Sequence, residues 1–450
     1  MSLNGSGYGG LVLKKLSASD VEVGDTIKII DDGNEYTGIL MPRAQIGADP
    51  DHVVLKMPNG YNVGIRLSTS SKISRVRKAR GRRRGAGQEV PAMNPKLPSV
   101  SILSTGGTIA SKVDYMTGAV NPALTAQDLY DTVPELRDHA NVRAKVLMSV
   151  FSEDITPSDW SKIARGVAAE VKKRADGVVI AHGTDTLGFT SAALSFALQD
   201  LPVPVALVGS QRSSDRPSSD SATNLVWATD LVVRANAAEV MVVMHAHTDD
   251  SYAYAHRGTR VRKSHTSRRD AFQSINSYPL FKVDSSDITE MTTPLFRRDP
   301  NRKLRLKPKF DDRVAIVKTH PGFSAGMIDS LVDREYRGIV IEGTGLGHAP
   351  KIIQPSLKKA LDTGIVIAMT SQCISGRIDM NVYRTGVELL EMGVIPCEDM
   401  LTETAYVKLA WLLANMKTPD KVRESMSQSL VGEIEMRTEM AEYEPHREIE

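Results

Sequence analysis

The sequence has few cysteines and no long apolar run. Two cysteines, Cys373 and Cys397, occur in 450 residues, which is too few for a disulfide-stabilised scaffold. A single bridge between them stays open, but free thiols in a reducing compartment fit this number better. No window holds the roughly 18 apolar residues of a membrane span, and the start of the chain lacks a signal-peptide pattern. These absences predict a cytoplasmic protein with no membrane span.

The sequence also lacks two signatures of cofactor chemistry. It contains no G-x-x-x-x-G-K-[ST] phosphate loop and no acidic cluster with the spacing of a metal site. We therefore expect neither a cofactor nor a metal in this chain. Its 41% hydrophobic and 24% charged residues are ordinary for a globular protein and argue against disorder. At this length, two or three domains are expected.

Short strands separated by tight turns make up the N-terminal part, from Asp20 to Leu67. Asn59-Gly60 lies between two strand-like runs, which is a strong hairpin signal. The pattern predicts a small, SH3-like β-barrel domain at residues 1–75. It contains no cluster of acids, bases or metal ligands, so we interpret it as a binding or docking module.

A basic run follows, Lys72 to Arg84, with eight cations and no acid in thirteen residues. One interpretation is a solvated linker. The other is an arm that contacts phosphates, because clustered cations bind nucleic acid by releasing counterions. The Gly/Pro-rich stretch that comes next marks a domain boundary, and we predict a linker at residues 76–98.

From Ser99 onward, apolar strands alternate with amphipathic helices, a pattern typical of an α/β protein with a parallel sheet. A second basic stretch, Arg297 to Lys309, divides this part into a larger and a smaller lobe. We place the lobes at residues 99–305 and 306–425, followed by a charged tail at 426–450. The predicted strands are Val100–Leu103, Val178–Ala181, Val205–Val208, Val240–Met244, Val314–Val317, Gly338–Ile341 and Ile365–Met369. The predicted helices are Pro157–Lys173, Ser191–Gln199, Ser221–Asn236 and Gly326–Val332.

Polar residues that could carry chemistry follow two of the predicted strands. Thr108 comes after the first strand of the larger lobe, and Thr184, Asp185 and Thr186 come after the second. Ligands in open α/β sheets bind beyond the carboxyl ends of the strands, and a threonine nucleophile needs a neighbouring base or cation. Lys263 is the next candidate. Taken singly, these residues could equally form a turn, an anion nest, a helix cap or a surface charge.

Together they carry a family resemblance. The segments STGGTIAS at 104–111 and HGTDT at 182–186 are similar to the two signature motifs of the L-asparaginase/glutaminase amidohydrolases. Further matches are SED at 152–154, VGSQR at 208–212, DAFQS at 270–274 and EGTGLGHAP at 342–350. The resemblance spans roughly residues 99–413. It implies an asparaginase-like, two-lobed α/β body with a parallel sheet and flanking helices.

The resemblance also implies roles for single residues. Thr108 would be the nucleophile that attacks a side-chain amide carbonyl and forms an acyl-enzyme. Thr184, Asp185 and Lys263 would form a second group that activates a nucleophile or the attacking water. Tyr115 would be the lid tyrosine that closes on the substrate.

The remaining roles concern binding. Ser152 and Glu153, together with Asp185, would hold the α-carboxylate and α-ammonium groups of the substrate, because an ammonium needs acceptors. Backbone N–H groups around Gly107 and Thr184 would form the oxyanion site.

Two departures point to one branch of this family. Asparaginases usually carry an acidic pair after HGTDT, whereas this chain has Leu187-Gly188-Phe189. The N-terminal module and the basic run are foreign to a free-standing asparaginase. The segments at 370–386 and 399–415 resemble the archaeal branch that supplies the glutaminase half of a two-subunit, tRNA-dependent amidotransferase.

That branch implies partners. The substrate would be glutamine, and the ammonia would pass to a kinase/transferase subunit (GatE). This partner would bind Glu-tRNA(Gln) and use ATP and magnesium, so that tRNA is contacted mainly through it. A homodimeric core within a two-plus-two heterotetramer is expected by analogy.

Two alternatives stay open. The first is a stand-alone cytoplasmic L-asparaginase, which would have no RNA partner. The second is a tRNA-binding scaffold with an inactive amidase body, against which the intact set of Thr108, Thr184, Asp185 and Lys263 argues.

Overall fold

The structure is a computed structural model. It describes residue 3 and residues 6–42, 51–57, 62–78, 94–106, 111–113, 120–122, 129–130, 133–212 and 219–437.

The N-terminal domain is a five-stranded antiparallel sheet with one helix. Helix α1, Gly10–Ala18, places Val12 and Leu16 against Ile27 and Ile29 in a core of its own. The strands run in the order β4-β3-β2-β1-β5, so that the last strand returns to the first. They are β1 (Thr26–Asp31), β2 (Asn34–Leu40), β3 (His52–Lys56), β4 (Asn62–Arg66) and β5 (Lys72–Arg77). The predicted small β domain is confirmed as a sheet; its SH3-like character stays a prediction, and the helix was not predicted.

Strand β5 is the beginning of the basic run. It pairs with β1 in the antiparallel sense, with Ile29 opposite Ile73, and the side chains of Arg75, Val76 and Arg77 are exposed. The predicted domain boundary at residue 75 therefore falls inside a strand. The first part of the run is an edge strand rather than a linker, while Arg80 to Arg84 lie outside the described residues.

An eight-stranded sheet forms the larger lobe, in the order β18-β17-β14-β13-β12-β10-β6-β9. The five strands from β9 to β13 are parallel, and in that direction their spatial order corresponds to chain order 2-1-3-4-5. In such a sheet the strand order reverses between β6 and β10, where ligands characteristically bind. Its strands are β6 (Ser99–Ser104), β9 (Asn141–Val146), β10 (Gly177–Ala181), β12 (Val205–Val208), β13 (Val240–His245), β14 (Tyr252–Arg257), β17 (Phe281–Asp284) and β18 (Ile288–Glu290).

Further short strands and the helices of this lobe surround the sheet. Strands β7 (Ser111–Val113) and β8 (Val120–Pro122) form one pair, and β15 (Val261–Lys263) and β16 (Phe272–Ser274) form another. Strand β11 (Leu198–Gln199) pairs with β19 (Arg305–Leu306). The helices are α2 (Leu136–His139), α3 (Pro157–Lys172), α4 (Leu187–Ala197) and α5 (Ser221–Arg234).

Strand β10 shows why the sheet is buried on both faces. Its five residues, GVVIA, are all buried, and alternate side chains of a strand point to opposite faces. Val179 and Ala181 pack in the core that contains α5, whereas Val178 and Ile180 pack in the core that contains α3 and α4. The predicted parallel strands and the α/β fold class are confirmed.

Helix α3 has a complete N-terminal cap, which explains its sharp start. Thr156 and Asp159 form a capping box, with Pro157 at the first helical position, and both features stabilise a helix N-terminus. Helix α4 begins at Leu187, four residues before the predicted start, because Leu187 is fully buried and extends the apolar run of the helix.

The smaller lobe is built on a parallel sheet in the order β20-β21-β22-β23. Its strands are β20 (Val314–Lys318), β21 (Gly338–Gly343), β22 (Val366–Ser371) and β23 (Ile395–Pro396). Its helices are α6 (Ala325–Asp333), α7 (Gln354–Asp362), α8 (Arg384–Met392), α9 (Thr402–Asn415) and α10 (Pro419–Met426).

One apolar core joins the two lobes. Trp160 of α3 and Phe196 of α4 pack in the same cluster as Val340 of β21 and Trp411 of α9. Phe196 and Trp411 stack with their ring centroids 5.8 Å apart. Because aromatic side chains bury large apolar areas, this cluster fixes the smaller lobe against α3 and α4, the helices before and after β10.

Candidate active site

The candidate site lies where β6 and β10 end. The two strands pair in parallel, with Ser104 opposite Ala181, and the N–H of Thr105 donates to the Ala181 carbonyl at 3.0 Å. Gly106 has a φ of +119°, and a Cβ there would lie 2.2 Å from the Val150 carbonyl oxygen. Only glycine fits such a position. The chain that leads into the predicted nucleophile loop is therefore held tightly at the sheet edge.

Lys263 bridges the two polar residues that follow β10. Its Nζ donates to Thr184 Oγ1 at 2.9 Å and to Asp185 Oδ1 at 2.7 Å. Residues 184 and 185 lie between the end of β10 and the start of α4, whereas Lys263 is the last residue of β15. Lys263, which is distant in sequence, is thus brought into direct contact with two neighbouring residues of the predicted site.

The predicted substrate-binding residues lie on the other side of Asp185. Ser152 and Glu153 form a single 3-10 turn after β9, and Ser152 Oγ donates to Asp185 Oδ2 at 3.4 Å. The Glu153 side chain is exposed. A Cβ on Gly183 would lie 2.8 Å from the Ser152 Cβ, so glycine permits this close approach.

Thr186 fixes that turn against the strand end, a role that the sequence did not reveal. Its hydroxyl donates to the Ser152 carbonyl at 2.6 Å. The signal was present, because Thr186 is the third polar residue of HGTDT after the glycine, but sequence alone gives no partner for it.

The exposure of the polar groups differs across the site. The Asp185 side chain is 63% exposed, whereas that of Lys263 is 15% exposed, so the carboxylate faces solvent and the ammonium lies behind it. His182, immediately before Gly183, is buried, and its burial lowers its pKa to about 4. Its imidazole is therefore neutral near pH 7, and no second cation competes with Lys263 from that position.

The unusual residues after HGTDT are accommodated by packing. Leu187 is fully buried in the larger lobe, and the Phe189 ring lies 6.1 Å from the Tyr406 ring of α9. A Cβ on Gly188 would lie 3.1 Å from the Val261 carbonyl oxygen, which places β15 close to the start of α4. The small Gly188 allows β15, the strand of Lys263, to approach the site. The apolar Leu187 and Phe189 pack the start of α4 against the larger lobe and against α9 of the smaller lobe.

Gly107, Thr108 and Tyr115 lie outside the described residues, so their predicted roles stay predictions. Within the described parts of the chain, no group of three or more His, Cys, Asp or Glu side chains has the arrangement of a metal site. No helix in those parts is long and apolar enough to span a bilayer. Cys373 is exposed, Cys397 is buried, and both are free thiols.

Three protein-family models match this chain. The asparaginase N-terminal model matches residues 99–295, and the glutaminase/asparaginase C-terminal model matches residues 313–426. The GatD N-terminal domain model matches residues 21–76.

Solved structures show the same body. The thermostable L-asparaginase from Thermococcus kodakarensis is 32% identical, with a TM-score of 0.68 over 75% of this chain and 99% of that one. L-asparaginase I from Vibrio cholerae is 29% identical, with a TM-score of 0.66 over 76% of this chain and 100% of that one. The fold and the Thr-Asp-Lys contact therefore define an amidohydrolase of the asparaginase/glutaminase class.

Curated relatives identify a smaller family within this class. The GatD-type subunit of glutamyl-tRNA(Gln) amidotransferase from Pyrococcus furiosus is 50% identical over 93% of this chain and 96% of the relative. The corresponding subunit from Methanothermobacter thermautotrophicus is 46% identical over 96% of this chain and 99% of the relative. The chain belongs to the family of GatD subunits of glutamyl-tRNA(Gln) amidotransferase. Membership in this family implies a partner subunit.

Proposed function

We propose that this chain hydrolyses glutamine and supplies the ammonia that a partner subunit uses to convert Glu-tRNA(Gln) to Gln-tRNA(Gln). The observation that carries the hydrolytic part is the contact of Lys263 with Thr184 and Asp185, at 2.9 and 2.7 Å. An ammonium, a hydroxyl and a carboxylate in hydrogen-bond contact at the carboxyl end of a strand can transfer protons during amide hydrolysis.

The reaction would proceed through an acyl-enzyme. The Thr108 hydroxyl attacks the side-chain carboxamide carbon, its proton passes to the leaving nitrogen, and ammonia departs. Water then attacks the threonine ester, releases glutamate and restores the hydroxyl. Backbone N–H groups around Gly107 and Thr184 would stabilise the charge on the carbonyl oxygen in both steps.

The Thr184 hydroxyl accepts a hydrogen bond from Lys263, which leaves its own proton free to point toward the reacting atoms. Asp185 Oδ1 accepts from the same ammonium, while Oδ2 accepts from Ser152. Both carboxylate oxygens are thereby oriented. This arrangement supports a role in which Thr184, Asp185 and Lys263 deliver and receive protons as a unit.

Substrate binding follows from the exposed side of the same group. The carboxylates of Glu153 and Asp185 would accept from the α-ammonium of glutamine, and the Ser152 hydroxyl would turn from Asp185 to donate to the α-carboxylate. The solvent exposure of Asp185 and Glu153 supports this assignment, because a charged ligand must reach acceptors that are not already buried in the fold.

The synthetic half of the reaction would lie on the partner. Activation of the glutamyl carboxylate needs ATP and magnesium, which we assign to the kinase/transferase subunit (GatE), together with most of the tRNA contacts. We expect a homodimer of this chain within a two-plus-two heterotetramer in the cytoplasm, where aminoacyl-tRNA is used. Light scattering of the purified chain tests the dimer, and a monomeric mass would contradict it.

The basic run supports an additional contact with tRNA. We expect charge reversal across residues 80–84 to weaken the tRNA-stimulated activity and to leave basal glutamine hydrolysis unchanged, because cations at phosphates add affinity without touching the site. Unchanged tRNA stimulation would return this stretch to the linker interpretation.

Ammonia release tests the whole proposal. Glutamine and asparagine are each supplied to the purified chain alone, and then with the partner subunit, Glu-tRNA(Gln) and ATP. Glutamine hydrolysis that rises sharply in the complete mixture is the expected result. Thr108→Ala should abolish it, whereas full release from this variant would show that another residue is the nucleophile.

A stand-alone L-asparaginase is the second candidate function. The match of the body to solved L-asparaginases over 99% and 100% of their length favours it. The same assay separates the two functions. Fast asparagine hydrolysis that does not depend on the partner would establish an asparaginase, and the N-terminal domain would then have no part in amide transfer.

A further inference from the structure

The segment that leads to Lys263 is attached to other elements at almost every residue. Its anchors come from α4, from α9 and from the chain beyond α10, so the larger lobe alone does not hold it. The contacts are Ser191 Oγ to the Gly258 carbonyl at 2.7 Å, Thr404 Oγ1 to the Thr259 carbonyl at 2.8 Å, Thr259 Oγ1 to the Val431 carbonyl at 3.4 Å, and Arg262 Nε to Glu403 Oε1 at 2.8 Å.

Arg260, in the middle of this segment, is fully buried. Its side chain is 0% exposed, and its NH1 group lies 3.0 Å from Oδ2 of Asp399, which is 1% exposed. Its Nε donates to the Gly432 carbonyl at 3.0 Å. One guanidinium therefore connects the start of β15 to the loop before α9 and to the chain after α10.

The described residues that follow α10, 427–437, form a segment that we call the C-terminal strap. It lies beyond residue 426, where the match to the C-terminal family model ends. Lys408 of α9 holds it through a buried ion pair with Glu433, at 2.6 Å. The N–H of Glu435 donates to Asp399 at 3.2 Å, so the strap and Arg260 share one carboxylate.

Lys263 needs such support because it cannot position itself. A lysine side chain is long and flexible, and its partner Asp185 is 63% exposed, which makes the pair weak against solvent. Catalytic groups act at full rate only when they are held within about 0.5 Å of the productive geometry, and a misplacement of about 1 Å can cost about 100-fold in rate. The backbone of β15 must therefore be fixed from outside the site.

We propose that Arg260, through Asp399 and the C-terminal strap, is a positioning residue that holds Lys263 against Thr184 and Asp185. Arg260 lies just before β15, and its carbonyl accepts from the Ile275 N–H at 2.8 Å, which continues the β15–β16 pairing. A shift of the guanidinium is transmitted along a paired strand to the lysine. The inference rests on the role given to Lys263 in the proposed function.

The chain offers a matched control for this inference. Arg257 and Glu239 form a second buried arginine–carboxylate pair, with Nε and Oε2 2.9 Å apart and exposures of 5% and 6%. This pair joins β14 to the residue before β13, and neither partner takes part in the β15–β16 pairing that Arg260 extends. Arg257 NH1 also lies 3.8 Å from Glu435 of the strap, so the control substitution is made at Glu239 and leaves that contact in place. Asp399→Asn and Glu239→Gln make the same chemical change, carboxylate to amide, at similar burial.

The first test compares these two variants. Ammonia release is measured on the full chain with the partner subunit present, together with the unfolding temperature of each variant. We expect Asp399→Asn to lower kcat about tenfold with KM changed less than about threefold, because positioning fails after the substrate has bound. Glu239→Gln should lower the unfolding temperature comparably and leave kcat within about twofold. Equal kcat values for the two variants would overturn the inference.

The second test uses Arg260 itself. Arg260→Met should lower kcat further than Asp399→Asn, and Arg260→Lys should restore part of it, because the ammonium keeps the charge but cannot reach Asp399 and the Gly432 carbonyl together. If Arg260→Met does not fold, Asp399→Asn and Arg260→Lys carry the test. No recovery in Arg260→Lys relative to a folded Arg260→Met would count against positioning by the charge.

A double variant shows whether the effect passes through Lys263. If it does, Asp399→Asn in a Lys263→Met background lowers kcat no further than Lys263→Met alone, since coupled residues are not additive. Losses that multiply would overturn the inference while leaving the proposed function intact. Lys263→Met with full turnover would instead remove the role of Lys263 on which both depend.

Discussion

Two lysine–carboxylate pairs in this molecule have almost the same length and opposite surroundings. Lys263 and Asp185 are 2.7 Å apart at the candidate site, with exposures of 15% and 63%. Lys408 and Glu433 are 2.6 Å apart between α9 and the C-terminal strap, and both are 0% exposed. Distance alone does not distinguish a pair that serves chemistry from one that holds the chain together. Burial does.

The buried pair is fully satisfied. Lys408 Nζ also donates to the carbonyls of Met426 and Gln428, and the carboxylate of Glu433 accepts from two backbone N–H groups. Burial lowers the pKa of Lys408, and the neighbouring Glu433 raises it in part. Removing Lys408 or Glu433 therefore leaves a buried charge without a partner, whereas removing Lys263 would leave Asp185 in contact with water.

The largest effect on stability is expected from Lys408→Met. Loss of one partner of a buried pair costs about 3–5 kcal/mol, so the urea midpoint of the smaller lobe should fall clearly. The double variant Lys408→Met/Glu433→Gln is the control, and it should recover part of the loss because no unpaired charge remains. An unchanged midpoint in Lys408→Met would show that the strap contributes little to the fold.

Asp185→Asn should reduce the activity strongly and the stability only slightly. We expect glutamine hydrolysis to fall at least about 100-fold, about 2.7 kcal/mol in activation free energy, because the amide cannot receive a proton or pair with a substrate ammonium. The free energy of unfolding should change by less than about 1 kcal/mol, as for other exposed pairs. Parallel measurements of kcat/KM and of urea unfolding check both statements. A large loss of stability would contradict the division between the two pairs.

Buried histidines predict an intermediate effect that depends on pH. Burial lowers the pKa of His256 to about 3 and that of His182 to about 4, whereas an unfolded histidine titrates near pH ~6.5. The unfolded state therefore binds more protons as the pH falls below about 6.5. The contribution of the two histidines to the free energy of unfolding is therefore fully present above about pH 6.5. It is lost toward pH ~4, by up to about 1.4 kcal/mol per pH unit for each histidine.

His256→Gln tests this sign. The variant lacks one titrating group, so its free energy of unfolding should fall less steeply between about pH 6 and about pH 4.5 than that of the parent chain. Urea unfolding at several pH values supplies the measurement, and the two chains should run parallel above about pH 7. Identical slopes at acidic pH would show that His256 is not held neutral by the fold.

The same contrast explains what could be predicted from sequence. Strand β10 and the group around Asp185 have local signals: an uninterrupted apolar run, then glycine and small polar residues. The contact of Arg260 with Asp399 joins residues 139 positions apart, and neither has a local pattern that sets it apart from a surface charge. Sequence thus predicts the strand ends that present the chemistry, whereas the buried contacts that support them depend on how the lobes pack.

Charge also concealed structure at the N-terminal edge. Lys72–Arg77 form β5, yet the abundance of cations favoured a linker or an arm over a strand. Ile73 packs against the core of the small domain opposite Ile29, but Val76, the other apolar residue of the strand, is exposed. One core-facing apolar residue among so many charges is a weak signal, and pairing with β1 supplies the stability that local sequence lacks.

The smallest effect is expected from Lys358→Met, which completes the comparison. Lys358 and Asp362 of α7 form an i,i+4 pair 2.7 Å apart, with exposures of 56% and 60%. An exposed pair of this kind contributes about 0.3–0.5 kcal/mol, and about 0.5 M salt should remove most of it. The substitution is the same as in Lys408→Met and the N–O distances are 2.7 and 2.6 Å, so the two variants differ in burial and in the backbone hydrogen bonds of the buried pair. Losses of similar size would mean that burial does not set the strength of these pairs, and the weakness of Lys263–Asp185, on which the need for Arg260 depends, would lose its physical basis.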